Sequence, residues 1–140
     1  MIRDFINDVC DILKISVPHI SFDTSNFQSE TMMAQIDSSY LRKADKTNPD
    51  QFFSVAHELR HRWQIQTDNE WYFSDYKPRE LCSSVEEYNL QFAEIDAHAF
   101  AGIVMEEFFH LKPLFQGLSD NVKSKIYSRM DYLKTTELFE

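Results

Sequence analysis

A five-residue motif near the middle of the chain restricts the fold more than any other feature of the sequence. Residues 57 to 61 read HELRH, so that His57, Glu58 and His61 stand in the order H-E-x-x-H. On an α-helix, residues four apart lie only about 40° apart around the axis, and the two imidazole rings project from the same side. If the segment is helical, the two histidines can share one metal ion, and a second element must supply the remaining ligand.

The sequence before the motif predicts the helix that the motif needs. Asn48 is suited to the N-cap, Pro49 to the first helical position and Gln51 to the capping-box position. Apolar residues then recur along one side of the predicted helix, at Phe52, Ala56, Leu59 and Trp63.

The residue types of the motif suit hydrolysis assisted by zinc. Neutral imidazole is a good zinc ligand, and a catalytic site keeps three protein ligands and an open position for water. Zinc lowers the pKa of that water to around 7, and a neighbouring carboxylate can take its proton as the water attacks a carbonyl group. Glu58 stands in the position of this general base. The simpler alternative is a pair of solvated histidines on a helix surface.

A second helical segment, FAEIDAHAFAGIVM at 92 to 105, offers the third ligand. Glu94 and His98 are four residues apart and share one face, and either could bind the metal. Asp96 is rotated about 200° from Glu94 and is a poor rival. Three alanines beside this face would let the segment approach the motif helix closely.

The two motifs together resemble those of gluzincin-type zinc metallopeptidases, in which H-E-x-x-H is followed by Glu-x-x-Ala-Asp/Asn-x-Phe-Ala. VAHELRH and EIDAHAFAGIVM are most similar to the ImmA/IrrE-type peptidases of bacteria, phages and integrative elements, and the similarity covers roughly residues 1 to 105. The resemblance implies that Glu94 is the third zinc ligand. It also implies that His98 is not itself a ligand but supports one of the ligand histidines. It also implies a protein substrate cut at one site, such as a DNA-bound regulator, in a mobile-element or stress-response setting.

Three positions depart from the family pattern. Arg60 stands where the family often has Gly, and Glu106 stands where it has Pro. His98 replaces a carboxylate or amide, so that this position can still form a hydrogen bond but supplies no fixed negative charge. These departures bear on activity and specificity more than on metal binding.

The segment between the two motifs, residues 63 to 89, is aromatic and is predicted to be loop-like around Pro78. Tyr72, Tyr76 and Arg79 are candidates for polarising the scissile carbonyl group of a peptide. The simpler interpretation is that the aromatic side chains fill a small core beneath a loop. Ser83 or Ser84 is expected to begin the helix that carries Glu94.

The whole chain, residues 1 to 140, predicts one mostly helical α+β domain of the zincin-like metallopeptidase class. Apolar spacing predicts a first helix that Pro18 stops near Ser16, and Ser119 is suited to begin a last helix. HISFD at 19 to 23, TMMAQI at 31 to 36 and SYL at 39 to 41 predict a small antiparallel sheet of two or three strands. Twelve Phe, six Tyr and only two Gly favour such a packed domain of about four helices.

Charge and cysteine usage narrow the partners and the compartment. The formal net charge of -9 argues against direct binding of nucleic acid, which needs clustered Lys and Arg. The chain shows neither a signal peptide nor an apolar run that could span a membrane. Cys10 and Cys82 lack the spacing of zinc ligands or redox pairs, so free thiols are favoured over a disulfide, and the cytoplasm is the expected compartment.

The sequence therefore predicts a zinc metalloendopeptidase acting on a protein or peptide substrate, with no specified oligomeric state. His57, His61 and Glu94 would hold Zn²⁺, and Glu58 would be the general base. Two other functions fit the same sequence. One is a zinc-binding but proteolytically inactive module for protein interaction or regulation, and the other is a helical interaction domain in which the motif is accidental.

Overall fold

A computed structural model describes residues 2–17, 26–28, 35–37 and 49–136. The α-helices in this part of the chain are α1 (Ile2–Leu13), α2 (Pro49–Phe73), α3 (Val85–Asn89), α4 (Phe92–Phe109) and α5 (Asp120–Lys134). A single 3₁₀ turn, Arg79–Leu81, precedes α3, and two short strands, β1 (Asn26–Gln28) and β2 (Gln35–Asp37), lie between α1 and α2.

Helix α4 is the centre of the core. From Ala93 to Met105 every residue except His98 is buried, because α2 and α5 both pack against α4. A helix that is largely apolar on all sides is stable only when neighbours cover it all round. Helix α1 adds a further layer by packing on α2. This arrangement places the motif helix α2 directly against the helix that carries Glu94.

Gly102 lies where the chain after α4 folds back onto that helix. A Cβ atom at Gly102 would lie 3.0 Å from Phe115 and 3.2 Å from Pro113, with Met130 of α5 at 3.3 Å. Hydrogen is therefore the side chain that fits without a shift of these neighbours. The close approach brings the segment around Phe115 onto the same side of α4 as Met130.

Several predicted helix boundaries are confirmed. The start of α2 at Pro49 is as predicted, whereas its predicted N-cap Asn48 lies outside the described residues. Helix α1 spans Ile2–Leu13 and so ends three residues before the predicted end near Ser16. The hydroxyl of Ser119 accepts a hydrogen bond from the Val122 backbone N–H at 3.2 Å, so that it caps α5 as expected. The predicted apolar stripe of α5 is buried, at Val122, Ile126, Met130 and Leu133.

The predicted α+β class is wrong, because the core of the described protein is built by helices packed on helices. Strands β1 and β2 pair antiparallel, with Phe27 opposite Ile36, but each has only three residues. An isolated ribbon of this size is marginal and does not form a layer of a domain. The predicted strands at 19–23 and 39–41 and residues 31–34 of the 31–36 segment lie outside the described residues, whereas Gln35 and Ile36 of that segment fall in β2.

The loop predicted at the centre of residues 63 to 89 is confirmed, since no helix covers residues 74 to 78, but the helix start predicted at Ser83 or Ser84 is wrong. Helix α2 ends at Phe73, and its last turn is anchored by Tyr72, whose ring stacks on Phe92 with centroids 5.5 Å apart. The hydroxyl of Ser84 accepts a hydrogen bond from the Glu87 N–H, but it caps the short helix α3 and not the helix of Glu94. The chain turns at Gln91 before α4 begins.

Cys10 and Cys82 are free and buried, as predicted. Burial raises the pKa of the Cys10 thiol to about 11, which keeps it protonated and unreactive at neutral pH. Among the helices described here, none is long and apolar enough to cross a membrane.

Candidate metal centre

The two motif histidines on α2 face Glu94 in the first turn of α4. His61 Nε2 lies 2.7 Å from Glu94 Oε2, and His57 Nε2 lies 3.5 Å from Glu94 Oε1. The two Nε2 atoms are 3.1 Å apart. One donor atom from each of the three residues falls within 4.8 Å of the others. The helix pairing therefore brings together the three residues that the sequence and its resemblance assign to zinc.

The geometry of this donor set fits zinc. Nitrogen and oxygen ligands lie about 2.0–2.2 Å from zinc, so that two ligands of a tetrahedral site are roughly 3.3–3.6 Å apart. The observed separations are 2.7 Å and 3.5 Å from the two histidines to different oxygens of Glu94, and 3.1 Å between the two histidines, so each would change by less than about 1 Å on binding zinc. Two imidazole nitrogens and one carboxylate are also a common ligand set of catalytic zinc.

The three donors are well shielded from water. The exposed fraction is 3% for the side chain of Glu94, 5% for His61 and 12% for His57. Burial lowers the pKa of His61, but the hydrogen bond and charge of Glu94 outweigh it and raise that pKa to about 9. Burial raises the pKa of Glu94, but the hydrogen bonds from His57 and His61 outweigh it and hold that pKa well below its usual value. A metal ion and a proton therefore compete for the same pair of donors.

Glu58 lies beside the donors as a half-buried carboxylate on α2. Its negative charge contributes to the raised pKa of His61 and also to that of Tyr88. The carboxylate is therefore close enough to act on the charge at the centre. Its assignment as general base stays a prediction.

His98 is not one of the donors. Its Nδ1 donates to the backbone carbonyl of Glu94 at 2.8 Å, and its ring meets the ring of His57 edge-on with centroids 4.6 Å apart. Burial and the nearby His57 lower the pKa of His98 to about 4, so the ring is neutral. Nδ1 of His57 has no hydrogen-bond partner in the described part of the chain. His98 therefore touches the ligand histidine through a ring contact and not through a hydrogen bond.

Three residues were predicted to polarise the scissile carbonyl group of a peptide. One of them lies at the centre, and the other two lie elsewhere. The Tyr76 hydroxyl lies 3.3 Å from Glu94 Oε2 and 3.1 Å from the hydroxyl of Tyr88. Burial raises the pKa of Tyr76, so the hydroxyl keeps its proton. Tyr72 is buried between Trp63 and the first residue of α4. Arg79 is exposed in the 3₁₀ turn.

Two polar residues next to the centre were not predicted from the sequence. Tyr88 shares the hydrogen-bond network of Tyr76. Gln64 accepts a hydrogen bond from Nδ1 of His61 at 2.8 Å. The position of Gln64, three residues after His61 and thus on the same helical face, is the signal that could have identified it. Tyr88 has no such signal, because it reaches the centre only through the turn between α3 and α4.

A buried ion pair between Arg60 and Asp96 links the motif helix to α4. Arg60 donates to Asp96 twice, from Nε at 2.7 Å and from Nη2 at 3.1 Å. Arg129 of α5 donates to the same carboxylate from Nε and Nη2, both at 2.9 Å. The Arg60 guanidinium also lies over the ring of Trp63, 3.6 Å from its centroid. This pairing accounts for an arginine in the motif and for the direction in which Asp96 points.

A cavity of about 640 Å³ lies next to the centre. His98 lines the cavity, and its ring also contacts the ring of His57, so the His98 ring lies between the cavity and His57. Most of the other described lining residues are apolar, among them Phe53, Met105, Leu114 and Phe115.

No family model matches the chain, and neither do the curated proteins or the solved structures with which it was compared.

Proposed function

We propose that this protein is a zinc-dependent metalloendopeptidase that hydrolyses peptide bonds in a protein substrate. The observation that carries the proposal is the convergence of His57, His61 and Glu94 from two helices, with Glu58 next to the first histidine. Structural zinc sites usually have four protein ligands, whereas three leave a position for water. The resemblance to ImmA/IrrE-type peptidases supports the same activity.

In this proposal each residue has a distinct task. A zinc ion held by His57, His61 and Glu94 would lower the pKa of a water molecule to around 7. The carboxylate of Glu58 takes the proton from the attacking water and then passes it to the nitrogen of the leaving amine. The Tyr76 hydroxyl, which keeps its proton, donates a hydrogen bond to the oxygen of the scissile carbonyl group as negative charge develops there.

The cavity beside His98 is proposed to receive a large apolar side chain of the substrate. Its apolar lining favours Leu, Phe or Met over charged residues, because desolvating an unpaired charge is costly. Its place next to His57 puts that side chain close to the scissile bond. Lys112, Ser54 and Gln116 are the polar residues of the described lining.

Mapping of cleavage sites in unfolded proteins by mass spectrometry tests this preference. Large apolar residues should be enriched about 10-fold or more at one position next to the cut, since burial of such a side chain contributes about 1.5–3 kcal/mol. Leu114→Glu, at an exposed leucine of the cavity, should weaken the enrichment. Leu81→Glu, at an exposed leucine of the 3₁₀ turn, is the matched control. Cutting with no apolar preference would contradict the assignment.

The biological setting follows from the resemblance and from the thiols. ImmA/IrrE-type peptidases suggest a regulator as substrate, in a mobile element or a stress response. Free, buried cysteines are compatible with the reducing cytoplasm. We therefore propose a cytoplasmic enzyme that acts on one regulatory protein.

A second candidate function is a zinc-binding module without proteolytic activity. The observation that favours it is the near-complete burial of Glu94 and His61, which leaves limited access to the donors. Under this alternative the zinc would stabilise the pairing of α2 with α4 and the protein would act by binding a partner.

Zinc content before and after chelation tests the metal centre itself. Protein purified without added metal should contain close to one zinc per chain by elemental analysis. Removal of zinc with a chelator should lower the thermal midpoint, because a ligand present at 100 times its Kd stabilises the native state by about 2.7 kcal/mol. Peptide cleavage should stop on chelation and return when zinc is added. A protein without zinc, whose melting is unchanged by the chelator, would be the helical interaction domain.

A further inference from the structure

The side chain of Gln64 is held in one orientation by its partners. Its Nε2 donates to the backbone carbonyl of Ala93 at 3.0 Å and to Asp96 Oδ2 at 2.8 Å. Both partners are acceptors only, because a carbonyl has no hydrogen and the Asp96 carboxylate is ionised. A flipped amide would place an oxygen against two other oxygens. The Oε1 of Gln64 must therefore face His61.

The orientation of Gln64 determines which nitrogen of His61 can bind a metal. Oε1 of Gln64 lies 2.8 Å from His61 Nδ1, and an amide oxygen can only accept a hydrogen. Nδ1 must then carry the hydrogen. The lone pair of the neutral ring is left on Nε2, which is the atom directed at Glu94 and His57. The ring is thus prepared for ligation through Nε2.

The anchor of this arrangement is the buried carboxylate of Asp96. It is paired with the guanidinium groups of Arg60 at 2.7 Å and Arg129 at 2.9 Å, which keep it ionised, and it accepts from Gln64 at 2.8 Å. Arg60 comes from the motif helix and Arg129 from α5. Two guanidinium groups therefore hold the carboxylate of Asp96 in place. The carboxylate in turn holds the side-chain amide of Gln64.

We propose that Gln64 is a positioning residue that holds His61 in the tautomer able to bind zinc through Nε2, with Asp96 fixing the Gln64 amide in turn. A metal-binding histidine usually donates its other ring N–H to a carboxylate or a backbone carbonyl. Here the acceptor is a neutral glutamine on the same helix as the histidine. The inference rests on the proposed zinc centre and adds a residue that neither the motif nor the resemblance assigns.

Zinc affinity of Gln64→Met, measured by competition with a chromogenic chelator, tests the inference. Methionine has a similar length but cannot accept a hydrogen bond from His61 or donate one to Asp96. The Kd for zinc should therefore rise about 10–100-fold, as it does when other residues that form a hydrogen bond to a metal ligand are replaced. Gln91→Met is the matched control. It removes a side-chain amide that bonds only the backbones of Lys77 and Tyr88 among the described residues, and it keeps the Gln91 backbone carbonyl that accepts from the Glu94 N–H. Its Kd should stay within about two-fold of wild type.

Melting of both metal-free variants separates positioning from stability. A purely structural glutamine would lower the thermal midpoint of Gln64→Met but leave the zinc Kd of the folded protein unchanged, and that result would overturn the inference. If the wild-type protein takes up no zinc, both the inference and the proposed function are overturned. Normal zinc uptake by wild type with an unaltered Kd in Gln64→Met would overturn the inference alone.

An NMR spectrum of the wild-type protein tests which nitrogen of His61 binds zinc, even if Gln64→Met fails to fold. In a long-range proton–nitrogen correlation spectrum of the zinc-loaded, ¹⁵N-labelled protein, His61 should show a protonated Nδ1 and a metal-bound Nε2. Ligation through Nδ1 would overturn the inference, whatever the variant does.

Discussion

Glu58→Gln should abolish peptide hydrolysis and leave the zinc content close to one per chain. Glutamine has nearly the same size as glutamate but cannot take a proton from water at neutral pH. Loss of a general base lowers catalytic rates by about 10²–10⁴-fold, and here the same residue also returns the proton to the leaving amine. The measurement is the rate of cleavage of an unfolded protein, beside elemental analysis of the same sample.

The matched control for this substitution is Glu107→Gln, at an exposed glutamate near the end of α4. It changes the net charge equally and should retain the wild-type rate. A Glu58→Gln protein that holds zinc and cleaves at the wild-type rate would contradict the role of Glu58. If the protein is instead a zinc-dependent binding module, Glu58→Gln should leave its biological effect intact in cells, whereas a peptidase would lose that effect.

The site was more predictable from the sequence than the fold, because its residues obey local helical rules. His57 and His61 must share a face if the segment is helical, and the helix start at Pro49 is encoded by the residues around it. Glu94 lies in an apolar segment that can only be a buried helix, so its contact with α2 follows once the two helices pack. Each step uses a spacing of a few residues.

The failures lie where the outcome depends on contacts between distant residues. The end of α2 at Phe73 was not predicted at all, because its last turn packs Tyr72 on Phe92, about twenty residues later, and no local signal specifies that contact. The small sheet was inferred from short alternating segments, which do not reveal whether a strand belongs to a layer of the core. The buried role of Arg60 was equally hidden, since its partner Asp96 is known only when α2 meets α4.

Arg60 stands where the resembled ImmA/IrrE-type pattern often has glycine, and its pairing with Asp96 leaves the three candidate donors in place. Glycine at this position would leave room on α2, whereas arginine fills it and pairs with a carboxylate that no metal uses. Removing one partner of such a buried pair typically costs about 3–5 kcal/mol, because the other charge is left unpaired. The pair thus ties together α2 and α4, the two helices that carry the candidate donors.

Glu94→Gln should remove zinc binding, and His98→Gln should not. Glutamine at 94 keeps the size of the side chain and a hydrogen-bonding group beside His61, but it offers a neutral amide where a zinc ligand needs a carboxylate. Loss of a direct ligand should raise the zinc Kd by about 1,000-fold or more, beyond the 10–100-fold effect of residues behind the ligands. The chelator competition assay measures both variants.

His98→Gln is the discriminating comparison because His98 was the rival for the third ligand. In the structure its Nδ1 is engaged by the backbone carbonyl of Glu94, and its ring packs edge-on against His57. Glutamine can still donate to that carbonyl, so zinc content should stay near one per chain and the Kd should rise by no more than about 10–100-fold. Loss of zinc in His98→Gln with retention in Glu94→Gln would reverse the assignment of the third ligand. Loss in neither would show that His57 and His61 bind zinc with another partner.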